Sequence, residues 1–193
     1  MLFHEYPFVK NSAKNRVENP TEDGKLGFYS IFFISKELVF MIVREATKKD
    51  VKTCARIEKQ ESTESIEIIE DEIEKQIGEE EHFIYVAEEV GKVVGFISAE
   101  LQRWNNSLYI DSLYIDENHR HRGYGSQLLK RMIKMSREIK SKKVFIDVEA
   151  GNTNAIILYL KHGFEINGYV QDFYRSKEQG DAVFLVLYNK YSR

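Results

Sequence analysis

Cysteine and proline are nearly absent from this sequence of 193 residues, which has one cysteine, Cys54, and two prolines, Pro7 and Pro20. A lone cysteine cannot close an internal disulfide, so stability has to come from a packed core, and a reduced, cytoplasmic setting is expected. Cys54 itself falls on the apolar stripe of a predicted helix and reads as a packing residue. Long hydrophobic runs are missing as well. The longest candidate, from Phe28 to Val43, is broken by Lys36 and Glu37 and is too short to span a bilayer. Met1 to Lys10 lacks the basic start, apolar middle and small-residue cleavage site of a signal peptide. Positive charge is in deficit too, with a formal net charge of -3 and a pI near 6.0. No global field exists to hold a nucleic-acid backbone or an acidic membrane, and neither is an expected partner.

What is present is ordinary for one globular domain: 42% hydrophobic and 31% charged residues. Residues 1–40 lack the regular alternation seen later and read as an N-terminal extension. Residues 41–193 read as the domain, and Met41 would serve as a start. A strand over Ile42–Ala46 is followed by Thr47 and Asp50, a capping pair that opens a helix with Val51, Cys54 and Ile57 buried. Ile66, Ile69, Ile73 and Ile77 give a second helix stopped at Gly78. His82–Glu88 and Val93–Leu101 should form a hairpin through Gly91. The next strand, Leu108–Ile115, shifts its apolar parity at Asp111-Ser112, which predicts a β-bulge. A helix from Gly123 to about Lys140, a strand Val144–Val148, a helix Asn154–His162 and strands near Phe164–Phe173 and Ala182–Tyr188 complete the order. The expected class is mixed α/β with a largely antiparallel sheet flanked by helices.

The informative stretch is Asp116-Glu117-Asn118-His119-Arg120-His121-Arg122-Gly123-Tyr124-Gly125. A strand that runs into a glycine-containing turn and then a helix presents free N–H groups and the positive end of a helix dipole to phosphate oxygens. Gly123 and Gly125 keep side chains out of that approach, and Arg120 and Arg122 add charge. Neither a Walker lysine nor the G-x-G-x-x-G spacing is present. The Arg-x-x-Gly-x-Gly pattern after Asp-Ser-Leu-Tyr-Ile resembles the pyrophosphate loop of the GCN5-related N-acetyltransferase (GNAT) superfamily. The phrase Val148-Glu149-Ala150-Gly151-Asn152-Thr153-Asn154-Ala155-Ile156-Ile157-Leu158-Tyr159, followed by Gly163-Phe164, resembles the second half of the same superfamily. The local wording is most similar to ribosomal-protein N-terminal alanine acetyltransferases and their archaeal relatives.

The resemblance covers about Met41 to Tyr188 and implies acetyl-CoA as co-substrate, with no metal. It implies that the main chain of Leu113, Tyr114 and Ile115 meets the pantetheine arm. The pyrophosphate would lie on Arg120, His121, Arg122, Gly123, Tyr124 and Gly125, with Asn152 and Tyr159 also touching the cofactor. Tyr159 would protonate the departing thiolate. The catalytic glutamate of the N-terminal acetyltransferases falls on Asp147, one methylene shorter, while Asp111 and Glu100 compete for the role of base. Gln60-Glu61-Ser62-Thr63-Glu64 stands where those enzymes carry a Pro-Trp segment. The implied reaction is direct attack of a primary amine, from a protein N-terminus, a lysine or a small molecule, on the thioester. A catalytically silent CoA-binding regulator and a basic-loop RNA-binding protein remain as alternatives, and a homodimer is compatible with either enzyme or regulator.

Overall fold

The computed structural model of the chain describes residues 18–20, 26–34, 37–174 and 180–190. The described residues form one nine-stranded sheet in the order β1-β2-β3-β4-β5-β6-β7-β9-β8. The strands are β1 (Glu18–Pro20), β2 (Leu26–Ile34), β3 (Glu37–Glu45), β4 (His82–Glu89), β5 (Lys92–Gln102), β6 (Ser107–Ile115), β7 (Lys143–Glu149), β8 (Glu165–Val170) and β9 (Ala182–Tyr188). The helices are α1 (Val51–Glu58), α2 (Ile66–Gln76), α3 (Tyr124–Glu138) and α4 (Thr153–Lys161). Every strand pair is antiparallel except β6 with β7, which α3 connects. The mixed α/β class expected from the sequence is the class observed. No helix among the described residues is long and apolar enough to cross a membrane.

The strand expected from Ile42 begins at Glu37 instead, because β2 pairs with it from Phe28 opposite Val43 to Ile34 opposite Glu37. The sheet ladder therefore crosses position 41. At the end of β3 the Arg44 guanidinium holds both Asp50 oxygens, at 2.8 and 2.9 Å, and reaches Glu88 at 2.9 Å. The Thr47 N–H and hydroxyl also donate to Asp50, so the expected cap forms and opens a single 3-10 turn before α1. The β4–β5 hairpin turns at Val90 and Gly91, both at positive φ, which is the two-residue turn that matches strand twist.

The bulge in β6 falls where the parity shift puts it. Ser112 faces Ser98 and Ile110 faces Ala99, so Asp111 has no counterpart on β5. Its effect is on sidedness. Leu108 and Ile110 before the bulge, and Leu113 and Ile115 after it, all contribute to the core that holds Leu128, Leu129 and Met132 of α3. Without the extra residue, one pair would turn to the opposite face. That opposite face packs Ile84, Val86 and Phe96 against Val51, Cys54 and Ala55 of α1 and Ile69 and Ile73 of α2, with Tyr114 at its margin.

Candidate active site

β6 and β7 are paired only at Ser107–Lys143, Leu108–Val144 and Tyr109–Phe145. Beyond that point they diverge, and β6 from Ile110 to Ile115 keeps a partner on the β5 side alone. The result is a wedge with main-chain groups on one wall, the amino end of α3 at its mouth and α4 beside it. Leu113, Tyr114 and Ile115, the residues that the resemblance implies for the pantetheine arm, lie on that wall. The Arg120 Nε donates to the Ile115 carbonyl at 3.1 Å, which occupies that acceptor.

At the mouth, His121 has φ 61° and Gly123 has φ 89°, so the chain passes twice through left-handed conformations before α3 begins. No side chain caps α3, and its first intrahelical acceptor, the Gly123 carbonyl, serves Gln127 at 3.2 Å. The N–H groups of Tyr124, Gly125 and Ser126 therefore lack intrahelical partners and point out of the helix end. A Cβ at Gly125 would lie 3.5 Å from Leu158 and 3.8 Å from Ile115, so this glycine keeps open the gap between β6 and α4. Such a gap, leading from free amides into the wedge, fits a pyrophosphate joined to an extended arm.

The basic side chains of the turn are less free than their sequence suggests. Arg120 is held by Glu61 at 2.7 Å as well as by Ile115, and Arg122 approaches Glu89 at 3.8 Å. His119 bridges Asp116 at 2.8 Å and Glu89 at 3.3 Å, while His121 is exposed. Tyr124 is 1% exposed, so only its main chain can meet a ligand. Asn152 caps α4 by accepting from the Ala155 N–H at 3.1 Å, which leaves its amide nitrogen for other contacts.

Tyr159 is 2% exposed and stands edge-on to Phe164 with centroids 5.3 Å apart, and its hydroxyl makes no hydrogen bond among the described residues. Burial raises its pKa, and Asp147 and Tyr114 push in the same direction. Those two residues lie on β7 and β6, so the phenol feels charge from both walls of the wedge. Asp147 does not stand free: Tyr109 donates to one carboxylate oxygen, and Tyr174 donates to the other at 2.6 Å. Asp111 reaches solvent, yet crowding by the protein raises its carboxyl to about 6; Glu100 and Asp147 add to the rise and His82 opposes it. Glu58 is raised to about 7 by burial and by Glu72 and Glu64. Tyr114 is raised to about 12 by burial, then by Glu58, Glu61 and Glu64. Glu58 at the end of α1, Glu61 and Glu64 in the segment after it and Glu72 on α2 thus bring carboxylates close together near Tyr114.

Sequence reasoning missed two contacts. Ser126 and the His162 Nε2 are 2.8 Å apart and join α3 to α4, while Nδ1 of the same ring lies 2.8 Å from the Leu158 carbonyl. The tyrosine pair on Asp147 is the other. Residues 27 to 38 positions apart make these contacts, and no local pattern announces them. No cluster of three or more His, Cys, Asp or Glu side chains among the described residues could hold a metal ion.

A splayed parallel strand pair, with an uncapped helix end at its mouth and a buried tyrosine beside it, defines an α/β protein built to hold an extended, phosphate-bearing ligand. The chain belongs to the Acetyltransferase (GNAT) family, which it matches over residues 44–164. It is 34% identical over 65 residues to a spermine/spermidine N(1)-acetyltransferase of Bacillus subtilis, covering 33% of this chain and 43% of that one. The match therefore spans less than half the length of that relative. An N-alpha-acetyltransferase of Sulfurisphaera tokodaii is 28% identical over 115 residues, covering 54% of this chain and 69% of its own. The crystal structure of a ribosomal-protein-alanine N-acetyltransferase from Brucella melitensis superimposes with a TM-score of 0.68 at 26% identity, covering 76% of this chain and 99% of that one.

Proposed function

We propose that the chain transfers the acetyl group of acetyl-CoA to a primary amine by direct attack, with residues 41–193 as the catalytic domain and the cytoplasm as its compartment. The observation that carries this reading is the unpaired edge of β6 facing the wedge, with the free N–H groups of α3 at one end and Tyr159 at the other. The α3 amides hold the pyrophosphate, with His121 and Arg122 beside them, and Asn152 steadies the cofactor from the start of α4. Main-chain N–H groups after the bulge meet the thioester carbonyl as negative charge develops on it. Tyr159 supplies the proton taken by the departing thiolate.

Direct attack is favoured over an acyl-enzyme because the one thiol of the chain, Cys54, is fully buried and its pKa is pushed up to about 12, chiefly by burial. The amine must lose a proton as it attacks. Asp147 takes that proton through the hydroxyl it holds: the amine proton passes to the Tyr174 oxygen as the phenolic proton passes to the carboxylate. The acceptor is a protein N-terminus, a lysine or a small amine, and a homodimer is compatible with the free faces of the molecule. Thiol release from acetyl-CoA, measured against peptides with free N-termini, N-blocked lysine peptides, polyamines and aminoglycosides, tests the reading. Turnover with any class supports acetyl transfer. Cofactor binding without turnover on all of them would make the chain a CoA-binding regulator.

A further inference from the structure

A cavity of about 630 Å³ opens on the α1–α2 side of the sheet beside Asp147. Trp104, Tyr109, Phe145, Tyr169, Phe173 and Phe184 line it. Trp104, at 83% exposed, with Tyr169 and Phe173 at 55% and 43%, holds large rings in water. Rings gathered around one hollow in this way mark a binding surface rather than scattered surface apolarity. The rings hold one another: Tyr109 packs on Phe145 at 4.9 Å and Phe173 stands edge-on to Phe184 at 5.2 Å.

The charges at the two ends of this hollow differ. Asp147, Phe145 and Lys143 alternate along β7 and share the cavity face, while Val144, Ile146 and Val148 turn into the core. Asp147 lies at the wedge, under the field that reaches Tyr159. Lys143 lies four residues away, roughly 13 Å along the strand. Its ammonium sits 5.8 Å from the Phe145 ring centroid and makes no ion pair among the described residues. The hollow therefore runs from an anion near the chemistry, through aromatic walls, to a cation with no carboxylate partner among the described residues.

We propose that this hollow is the acceptor site, and that it selects a peptide N-terminus with apolar or aromatic leading side chains and an acidic residue at the third or fourth position. The inference rests on the acetyl-transfer reading above. An extended peptide advances about 3.3 to 3.6 Å per residue, so a carboxylate at position three or four reaches Lys143 when the α-amine lies at the Asp147 end. The leading side chains fall among the rings. A polyamine long enough to fill the hollow brings a second ammonium against Lys143, where like charges repel.

The experiment compares three tetrapeptides with free N-termini, identical except for Glu, Gln or Lys at position three, by the kcat/KM of thiol release. The expected order is Glu above Gln above Lys, with roughly tenfold or more between the extremes, and Lys143→Glu should reverse it. Lys143→Gln should flatten the order across the three peptides. Values within twofold across the three peptides, or an order that survives Lys143→Glu, would overturn the assignment while leaving acetyl transfer intact. Turnover of spermidine with none of the peptides would do the same. If no amine of any class is acetylated, the activity reading fails instead; calorimetric titration of the Glu and Lys peptides into the CoA-loaded protein then decides the site by itself, with preference for the Glu peptide supporting it and equal or absent binding overturning it.

Discussion

The Tyr174 hydroxyl donates a 2.6 Å hydrogen bond to the Asp147 carboxylate, tying the segment after β8 to the centre of β7. Tyr109 occupies the other oxygen from β6, so the carboxylate joins three separate parts of the chain. Burial, then the bond to Asp147, raises the pKa of both phenols, so each keeps its proton through the neutral range. In the relay proposed above, a proton leaving the amine passes one of these hydroxyls on its way to Asp147.

Tyr174→Phe and Asp147→Asn should each lower kcat, the second by about 10²-fold or more as expected for loss of a general base. The double variant should be no slower than the slower single variant, because both remove one relay. Steady-state kinetics on the four proteins reads this out. Losses that multiply would separate the two residues and leave Tyr174 with a packing role only.

Gly125→Val should abolish measurable acetyl-CoA binding with little change in Tm. The added Cβ finds ordinary contact at 3.5 Å from Leu158, so the fold tolerates it, but the branched side chain stands in the gap between β6 and α4. Gly123→Val acts differently. Its Cβ meets nothing within 4 Å, and the cost comes from φ 89°, so stability falls along with affinity. Isothermal titration and thermal unfolding separate the two cases, and unchanged affinity in both variants would move the pyrophosphate elsewhere.

The parts of this site that could be read in the sequence are those written locally. The bulge at Asp111 shows as a shift in apolar parity, the α1 cap as Thr47 with Asp50, and the phosphate turn as two glycines between a strand and a helix. The β2–β3 ladder was not legible, since the apolar run from Phe28 to Ile34 carries no polar alternation to mark it as a strand, and pairing with it decides where β3 starts. The same holds for Arg120, whose charge faces Glu61 rather than open solvent. Tyr109 falls between the core residues Leu108 and Ile110, and only the fold brings its hydroxyl to Asp147.

A chain that begins at Met41 should still fold and bind acetyl-CoA, because the wedge, α3 and α4 all lie beyond that point. The truncation removes β1, β2 and the start of β3, and exposes a new edge from Met41 to Glu45. A lower Tm with an undiminished cofactor-induced shift is the expected result. An insoluble product, or loss of the cofactor shift, would make residues 1–40 part of the domain.

Glu58→Gln should stabilise the protein at alkaline pH and not at acidic pH. The folded-state pKa of Glu58 is raised from 4.5 to about 7, so the native protein binds this proton more tightly than the unfolded chain does. Stability from this group is fully present below the unfolded value and is lost as pH rises towards 7. Removing the charge should raise Tm by a few degrees at pH 8 and leave it unchanged at pH 4. An equal effect at both pH values would assign the change to packing rather than ionisation.

Tyr159→Phe bears most directly on the chemistry. The variant keeps the ring that stands 5.3 Å from Phe164 and removes a hydroxyl with no hydrogen-bond partner among the described residues, so Tm and acetyl-CoA affinity should hold. Burial raises the phenol above its usual value near 10, so the group stays protonated through the neutral range. The departing thiolate has a conjugate acid near 8.5, which makes transfer from the phenol uphill unless it is concerted with cleavage of the C–S bond. Loss of a general acid of this kind lowers rate about 10²- to 10⁴-fold, and the fall should appear in kcat rather than KM. If kcat instead stays within about threefold of the parent on the best acceptor, Tyr159 is a core aromatic and the thiolate takes its proton from water.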